Sequence, residues 1–239
     1  IYAYLFRGKN SRVIVQNQDD YAMINNLMKN KKENLFLIRG SGVNPSQYIF
    51  FENYIEITKP IILVPARLIK EKGVYEMCEA SKLLNEKNIH HEVWFAGDID
   101  QGNPFSLTSK EVEKFKSSHA NLKFLGFCEN MLELYEKCTI VCLPSYREGL
   151  PKALIEAAAC GRAIVTCDVP GCREIVKNLE TGILVKEKCA LSLSEGLAIL
   201  LSNKQLMEQM RKNARTNFMK YFTSDSIAQK TTEIYMSLL

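Results

Sequence analysis

Between residues 61 and 185 short apolar runs alternate with segments of helical period, and no other feature restricts the fold of this chain as much. IILVPA at 61–66 is followed by an amphipathic segment carrying Val74, Met77, Cys78, Ser81 and Leu84, then by EVWFAG. A helix near 109–118, strand LKFLG, helix NMLELYEK, strand TIVCLP, a central helix, strand AIVTC, a short helix after Gly171 and strand GILV complete the series. Alternation of this kind predicts an α/β, Rossmann-like parallel sheet with helices on both faces. Such sheets bind ligands at the carboxyl ends of their strands. Arg67, Gly97, Asp98, Gly126 and Glu148 each follow a strand and become the first candidates.

The stretch 145–171, SYREGLPKALIEAAACGRAIVTCDVPG, joins a charged loop, a helix start and a strand. Pro151 suits a first helical residue, and Leu154, Ile155 and Ala158 continue at helical spacing. The free N–H groups at Lys152 and Ala153, with the positive end of the helix dipole, form a seat for phosphate beside Glu148, Gly149 and Leu150. Glu156 falls about 9 Å along the axis. Carboxylates repel phosphate but accept hydrogen bonds from hydroxyls, so Glu148 and Glu156 suit sugar rings flanking a pyrophosphate. Arg67 offers a planar fork and Lys72 a point charge to the same anion, although Lys72 also fits a solvated cluster with Lys70 and Glu71.

EGLPKALIEAAACG, with a Glu, seven residues and a second Glu, resembles the signature of the retaining glycosyltransferases of family four, which have the GT-B fold. PARLIKEKG (65–73), AGDIDQGNP (96–104), LKFLGF (122–127) and DVPGCREIV (168–176) occur in that family's order. The resemblance is strongest to the branch that builds lipid-linked bacterial surface saccharides. It implies that residues 58–222 are the donor-nucleotide lobe, that 1–57 are a remnant of the acceptor lobe and linker, and that 223–239 are a helix crossing back onto the first lobe. It further implies that Arg67, Lys72 and Glu148 are catalytic, with Gly149, Leu150, Lys152 and Ala153 helping to hold the donor sugar and phosphates. Glu156 would bind ribose. Gly126, Phe127, Cys128 and Leu132 would hold the base, and no metal or other cofactor is expected beside the UDP-sugar donor. The partner would be a lipid-linked or saccharide acceptor engaged through the missing lobe, at the cytoplasmic face of the membrane with peripheral association.

Composition sets the remaining bounds. Of 239 residues 46% are hydrophobic and 24% charged, enough for one full domain and part of another. The net charge of +4 is spread out, which disfavours a nucleic-acid arm. Apolar runs are too short to span a bilayer. The eight cysteines contain no C-x-x-C pair and read as small core residues in a reducing cytoplasm. His90, His91 and His119 precede strands and read as surface residues. Asp98 and Asp100 have the spacing of an Asp-x-Asp metal motif but sit in a turn after a strand, which disfavours that reading. IYAYLFRGKN, without a methionine start or a signal-peptide layout, is expected to be a cut inside a larger protein. A strand at 12–16, a helix at 19–30 opened by Asp, and a strand at 34–40 follow. A non-catalytic nucleotide-sugar-binding module would share the anion clamp. A nicotinamide oxidoreductase is disfavoured because no G-x-G-x-x-G follows an early strand.

Overall fold

The computed structural model describes residues 11–28, 34–52 and 59–238, so the reading of 1–10 and most of the linker lie outside the described residues. The first unit is β1 (Val13–Val15), α1 (Gln18–Leu27) and β2 (Leu35–Leu37), the two strands pairing in parallel with Val13 opposite Leu35. Asn17, rather than an Asp, opens α1, its side chain accepting the Asp20 N–H. Asn is as good a cap as Asp, and here its Nδ2 also donates to the Gly149 carbonyl.

The main sheet has six strands, β3 (Ile61–Val64), β4 (Glu92–Ala96), β5 (Leu122–Gly126), β6 (Ile140–Leu143), β7 (Ala163–Cys167) and β8 (Ile183–Val185). Their order is β5-β4-β3-β6-β7-β8, and every pairing is parallel. The chain therefore winds outward from β3 to one edge, returns beside β3 and winds to the other. β6 and β7 are buried at every residue, as central strands covered on both faces must be. Between the strands run α2 (Val74–Glu86), α3 (Ser109–Ser118), α4 (Met131–Lys137), α5 (Lys152–Ala159) and the short α6 (Pro170–Ile175). Local chemistry explains their starts. Thr108 and Glu111 form a reciprocal capping box on α3, and Asn130 caps α4 through the Glu133 N–H.

Three helices close the chain: α7 (Ala190–Ser202), α8 (Lys204–Tyr221) and α9 (Ser224–Met236). Met207, Met210, Ala214 and Phe218 give α8 its buried stripe. Thr223 caps α9 through the Ser226 N–H. On this last helix Ile227 and Ile234 pack with Ile38 and Phe36 of the first unit. Backbone bonds tie Val43 to Phe222 and Ser224 at 3.0 Å each. Ahead of the linker, the segment around Tyr48 and Phe51 is clamped from below. Arg215 Nη1 donates to the Tyr48 and Ala159 carbonyls at 3.2 and 2.6 Å, Arg211 donates to those of Phe51 and Gly161, and Arg162 lies over the Phe51 ring at 4.8 Å.

Two sequence expectations change. His91 is 1% exposed, not a surface residue. Its Nε2 meets Ser81 Oγ at 2.8 Å and Asn121 Nδ2 at 3.2 Å, while Nδ1 meets the Ile89 carbonyl at 2.8 Å. The ring lies under the amino-terminal edge of the sheet, where three elements converge and its polar atoms all find partners. All eight cysteines are free, six of them buried, while Cys128 and Cys189 are half-buried. Among the described residues no helix is long and apolar enough to cross a membrane.

Candidate functional site

At the carboxyl edge of the main sheet a cavity of about 430 Å³ opens where the strand order reverses between β3 and β6. Crevices at such switch points are where doubly wound sheets hold ligands, and this volume is in the range of small-molecule sites. Four segments wall it, one from each of four successive strand ends. Arg67 comes from the loop after β3, residues 97–100 from the loop after β4, Phe127, Cys128 and Met131 from the turn and helix after β5, and Ala153 and Glu156 from the helix after β6.

The opening helix, α5, begins one residue later than its sequence suggests. Pro151 is the cap, with ψ 109°, and Lys152 is the first helical residue. Proline lacks an N–H in either position, so the seat survives the shift: the first backbone bond of the turn runs from the Leu154 N–H to the Pro151 carbonyl at 3.1 Å. The N–H groups of Lys152 and Ala153 come before it, with the positive end of the helix dipole.

The charged groups are arranged in pairs. Arg67 Nη1 lies 2.6 Å from Asp100 Oδ2, with 61% of the Arg67 side chain exposed. Asn103 Nδ2 donates to the same Asp100 oxygen at 3.2 Å. A guanidinium has five N–H donors, so one bond to Asp100 both aims it and leaves donors for a ligand. Lys72 Nζ donates to Glu148 Oε1 at 2.5 Å, and that pair is largely buried. Neither partner lines the cavity that Arg67 opens on. The structure thus brings Arg67, Ala153 and Glu156 together and holds Lys72 with Glu148 beside them.

Two glycines make the second pairing possible. Gly73, at φ +70°, ends the 3-10 turn that carries Lys72, and a Cβ there would stand 2.1 Å from the Pro144 carbonyl oxygen. Gly171 would place a Cβ 2.4 Å from the Gly149 carbonyl oxygen, and its N–H donates to the Glu148 carbonyl at 3.2 Å. The short helix expected after Gly171 begins at Pro170 instead, so that Pro170 and Gly171 start α6 against the 148–149 loop. From the first unit, Asn17 Nδ2 donates to the Gly149 carbonyl at 3.1 Å, and Leu150 packs on the main core with its Cδ2 against Gly40.

Glu156 is 7% exposed and lines the cavity. Its Oε2 accepts the Tyr135 hydroxyl at 2.9 Å, and Lys152 Nζ stands 3.5 Å from Oε1. Tyr135 was not among the residues singled out from sequence. Its only signal there is the four-residue interval from Met131, which puts both on one face of α4. On the expected base wall Met131 lines the cavity and Leu132 does not, although both are half-buried and pack against the core. Gly126 takes φ +72° and turns the chain toward Phe127, which is 75% exposed, and half-buried Cys128. Burial raises the Cys128 thiol pKa. Asp100, set aside as a metal ligand, emerges as the partner of Arg67.

An open, doubly wound sheet with a guanidinium, a helix amino terminus and a carboxylate at its switch point defines a Rossmann-like α/β protein equipped to hold an anionic ligand that also carries hydroxyls. The chain matches the family described as Glycosyl transferases group 1 over residues 46–217, well over half its length, and belongs to that family. It is 32% identical over 246 residues to the N,N'-diacetylbacillosaminyl-diphospho-undecaprenol alpha-1,3-N-acetylgalactosaminyltransferase of Campylobacter jejuni, an alignment covering 98% of this chain and 62% of the relative. Capsular polysaccharide biosynthesis glycosyltransferase CapM of Staphylococcus aureus is 24% identical, over 72% of this chain and 45% of its own length. The chain thus spans about half to three fifths of these curated relatives. A glycosyltransferase from Rickettsia africae superposes with TM-score 0.87 at 20% identity, covering 99% of this chain and 66% of that one. HepE of Anabaena, solved in complex with UDP, gives 0.83 at 19% identity, covering 95% and 64%. These neighbours establish the fold as part of a GT-B architecture.

Proposed function

We propose that this chain is the donor-binding part of a glycosyltransferase that moves a hexose or N-acetylhexosamine from a UDP-sugar, with retention, onto a lipid-linked saccharide. One observation carries the reading: Arg67, the amino terminus of α5 and Glu156 share a single cavity at the switch point. Arg67 and the Lys152 and Ala153 amides hold the diphosphate, with Lys72 adding charge from beside it. Transfer of a sugar leaves negative charge on that diphosphate, so cationic and dipolar groups aimed there lower the barrier. The same groups do the neutralising that a divalent metal would otherwise supply. Glu156 accepts the ribose hydroxyls and Glu148, steadied by Lys72, those of the sugar. Phe127, Cys128 and Met131 line the end that takes the base. Uridine is favoured by the UDP held in the Anabaena neighbour and the lipid-linked acceptor by the name of the Campylobacter relative. The acceptor side, and a site of action at the cytoplasmic face of a membrane, belong to the longer protein.

Thermal shift of the 239-residue chain with UDP, GDP, ADP and NAD is the first test. Stabilisation by UDP above the other two diphosphates is expected, and stabilisation by NAD alone would overturn the reading. A panel of UDP-sugars offered to the full-length protein with a polyprenyl-diphosphate saccharide then reads the reaction, and the anomeric configuration of the product reads retention. Donor binding without transfer in that assay would favour a binding module.

A further inference from the structure

We infer that Tyr135 is a positioning residue for Glu156, fixing the plane of its carboxylate for the ribose hydroxyls, with Tyr48 as a buttress behind it. The inference rests on the donor reading above and names a residue that reading does not require. A carboxylate as buried as Glu156 is costly unless its oxygens are bonded. Lys152 is a weak partner, standing 3.5 Å away with 64% of its side chain exposed. The Tyr135 hydroxyl is the close one, at 2.9 Å, and the residue is 0% exposed.

Tyr135 has a second acceptor within reach, the Ala153 carbonyl at 3.3 Å. Its single proton goes to the shorter, charged acceptor. Burial and then the charge of Glu156 hold the phenol pKa well above its ordinary value of 10, so it remains a donor. With Oε2 engaged from the protein side, the lone pairs still open to a ligand are those on the cavity side. A vicinal diol reads both oxygens of a carboxylate, so the plane of the group decides whether both bonds form.

Tyr48 completes the support. Its ring meets that of Tyr135 edge-on, with centroids 6.2 Å apart at 60°. Its own pKa is pushed up to about 12 by burial first and by Glu156 next, which puts it beside the same carboxylate. Arg215 fixes the Tyr48 backbone against α5.

Isothermal titration of the chain with UDP and with 2',3'-dideoxyuridine diphosphate separates this role from plain packing. The Tyr135→Phe variant keeps the ring and loses only the hydroxyl. It should bind UDP about tenfold more weakly than wild type, the size of one charge-assisted hydrogen bond, with dideoxy-UDP affinity within about twofold. Tyr48→Phe should show the same selectivity at about threefold, as expected for a less direct contact. Equal loss of both ligands, or no loss of either, would overturn the inference while leaving the donor reading in place. Failure of the wild-type chain to bind UDP at all would overturn both.

Discussion

The two edges of the main sheet treat polar groups in opposite ways. At the amino-terminal edge, His91, Ser81 and Asn121 close a network in which both histidine nitrogens are bonded to protein, even though His91 and Asn121 border a cavity of about 350 Å³. At the carboxyl edge, Arg67 is held by Asp100, Lys72 by Glu148 and Glu156 by Tyr135 with a longer contact to Lys152, and Arg67 and Glu156 also line a cavity. A satisfied buried network adds to stability and uniqueness of fold. A held but incompletely satisfied charge is poised to bind. Polar residues flank the strands at both ends, so residue type does not separate the two edges. The number of bonding positions left open does.

Substitutions should therefore split cleanly into binding effects above and stability effects below. The largest is expected at Arg67→Ala, which should weaken UDP binding about fiftyfold through lost charged hydrogen bonds, with thermal stability nearly unchanged because its pair with Asp100 is exposed. Calorimetric titration beside a melting curve reads both; a large drop in melting temperature would blur the contrast. His91→Leu should do the reverse. Stranding Ser81 and Asn121 costs about 2 kcal/mol in urea unfolding and should leave UDP affinity within error. A change in affinity there would show that the edges are coupled.

Next in size is the division of labour between the two carboxylates. Glu156→Ala should weaken UDP about tenfold, whereas Glu148→Ala should spare UDP and weaken the intact UDP-sugar about fivefold. Equal loss of both ligands in both variants would refute separate roles for ribose and sugar.

The smallest effect is a pH dependence at the lower edge. Burial pushes the His91 pKa below its ordinary 6.5, the Ile89 carbonyl bond opposes that shift, and the charges of Lys59 and His90 add to it. The unfolded chain takes up a proton that the folded one resists, so this contribution is complete above the unfolded pKa and is lost as pH falls below it. The melting temperature should decline between pH 7 and pH 5, less steeply in His91→Asn than in wild type. Equal slopes in the two proteins would remove His91 as the cause.

How far these contrasts can be read in advance differs by feature. The strand and helix series was visible because side-chain period is a local property. IVCL and AIVTC read as fully covered strands, and they are. Arg67, Ala153 and Glu156 could be assigned to strand ends and a helix start in the same way. Tyr135 could not, because its bond to Glu156 joins residues 21 apart in sequence and depends on how α4 and α5 pack. His91 looked like a surface residue for the same reason: two of its three bonds are to Ser81 and Asn121, brought in by other elements.

Hydrophobic periodicity was thus enough to specify a parallel, helix-covered sheet and the edge that carries the candidate site, since it acts through the chain's own local geometry. Which cation meets which carboxylate was settled by folding alone. Arg67 with Asp100 and Lys72 with Glu148 are bonds across 33 and 76 residues. Distances between side chains on different strands follow from register, twist and packing, which no single segment encodes.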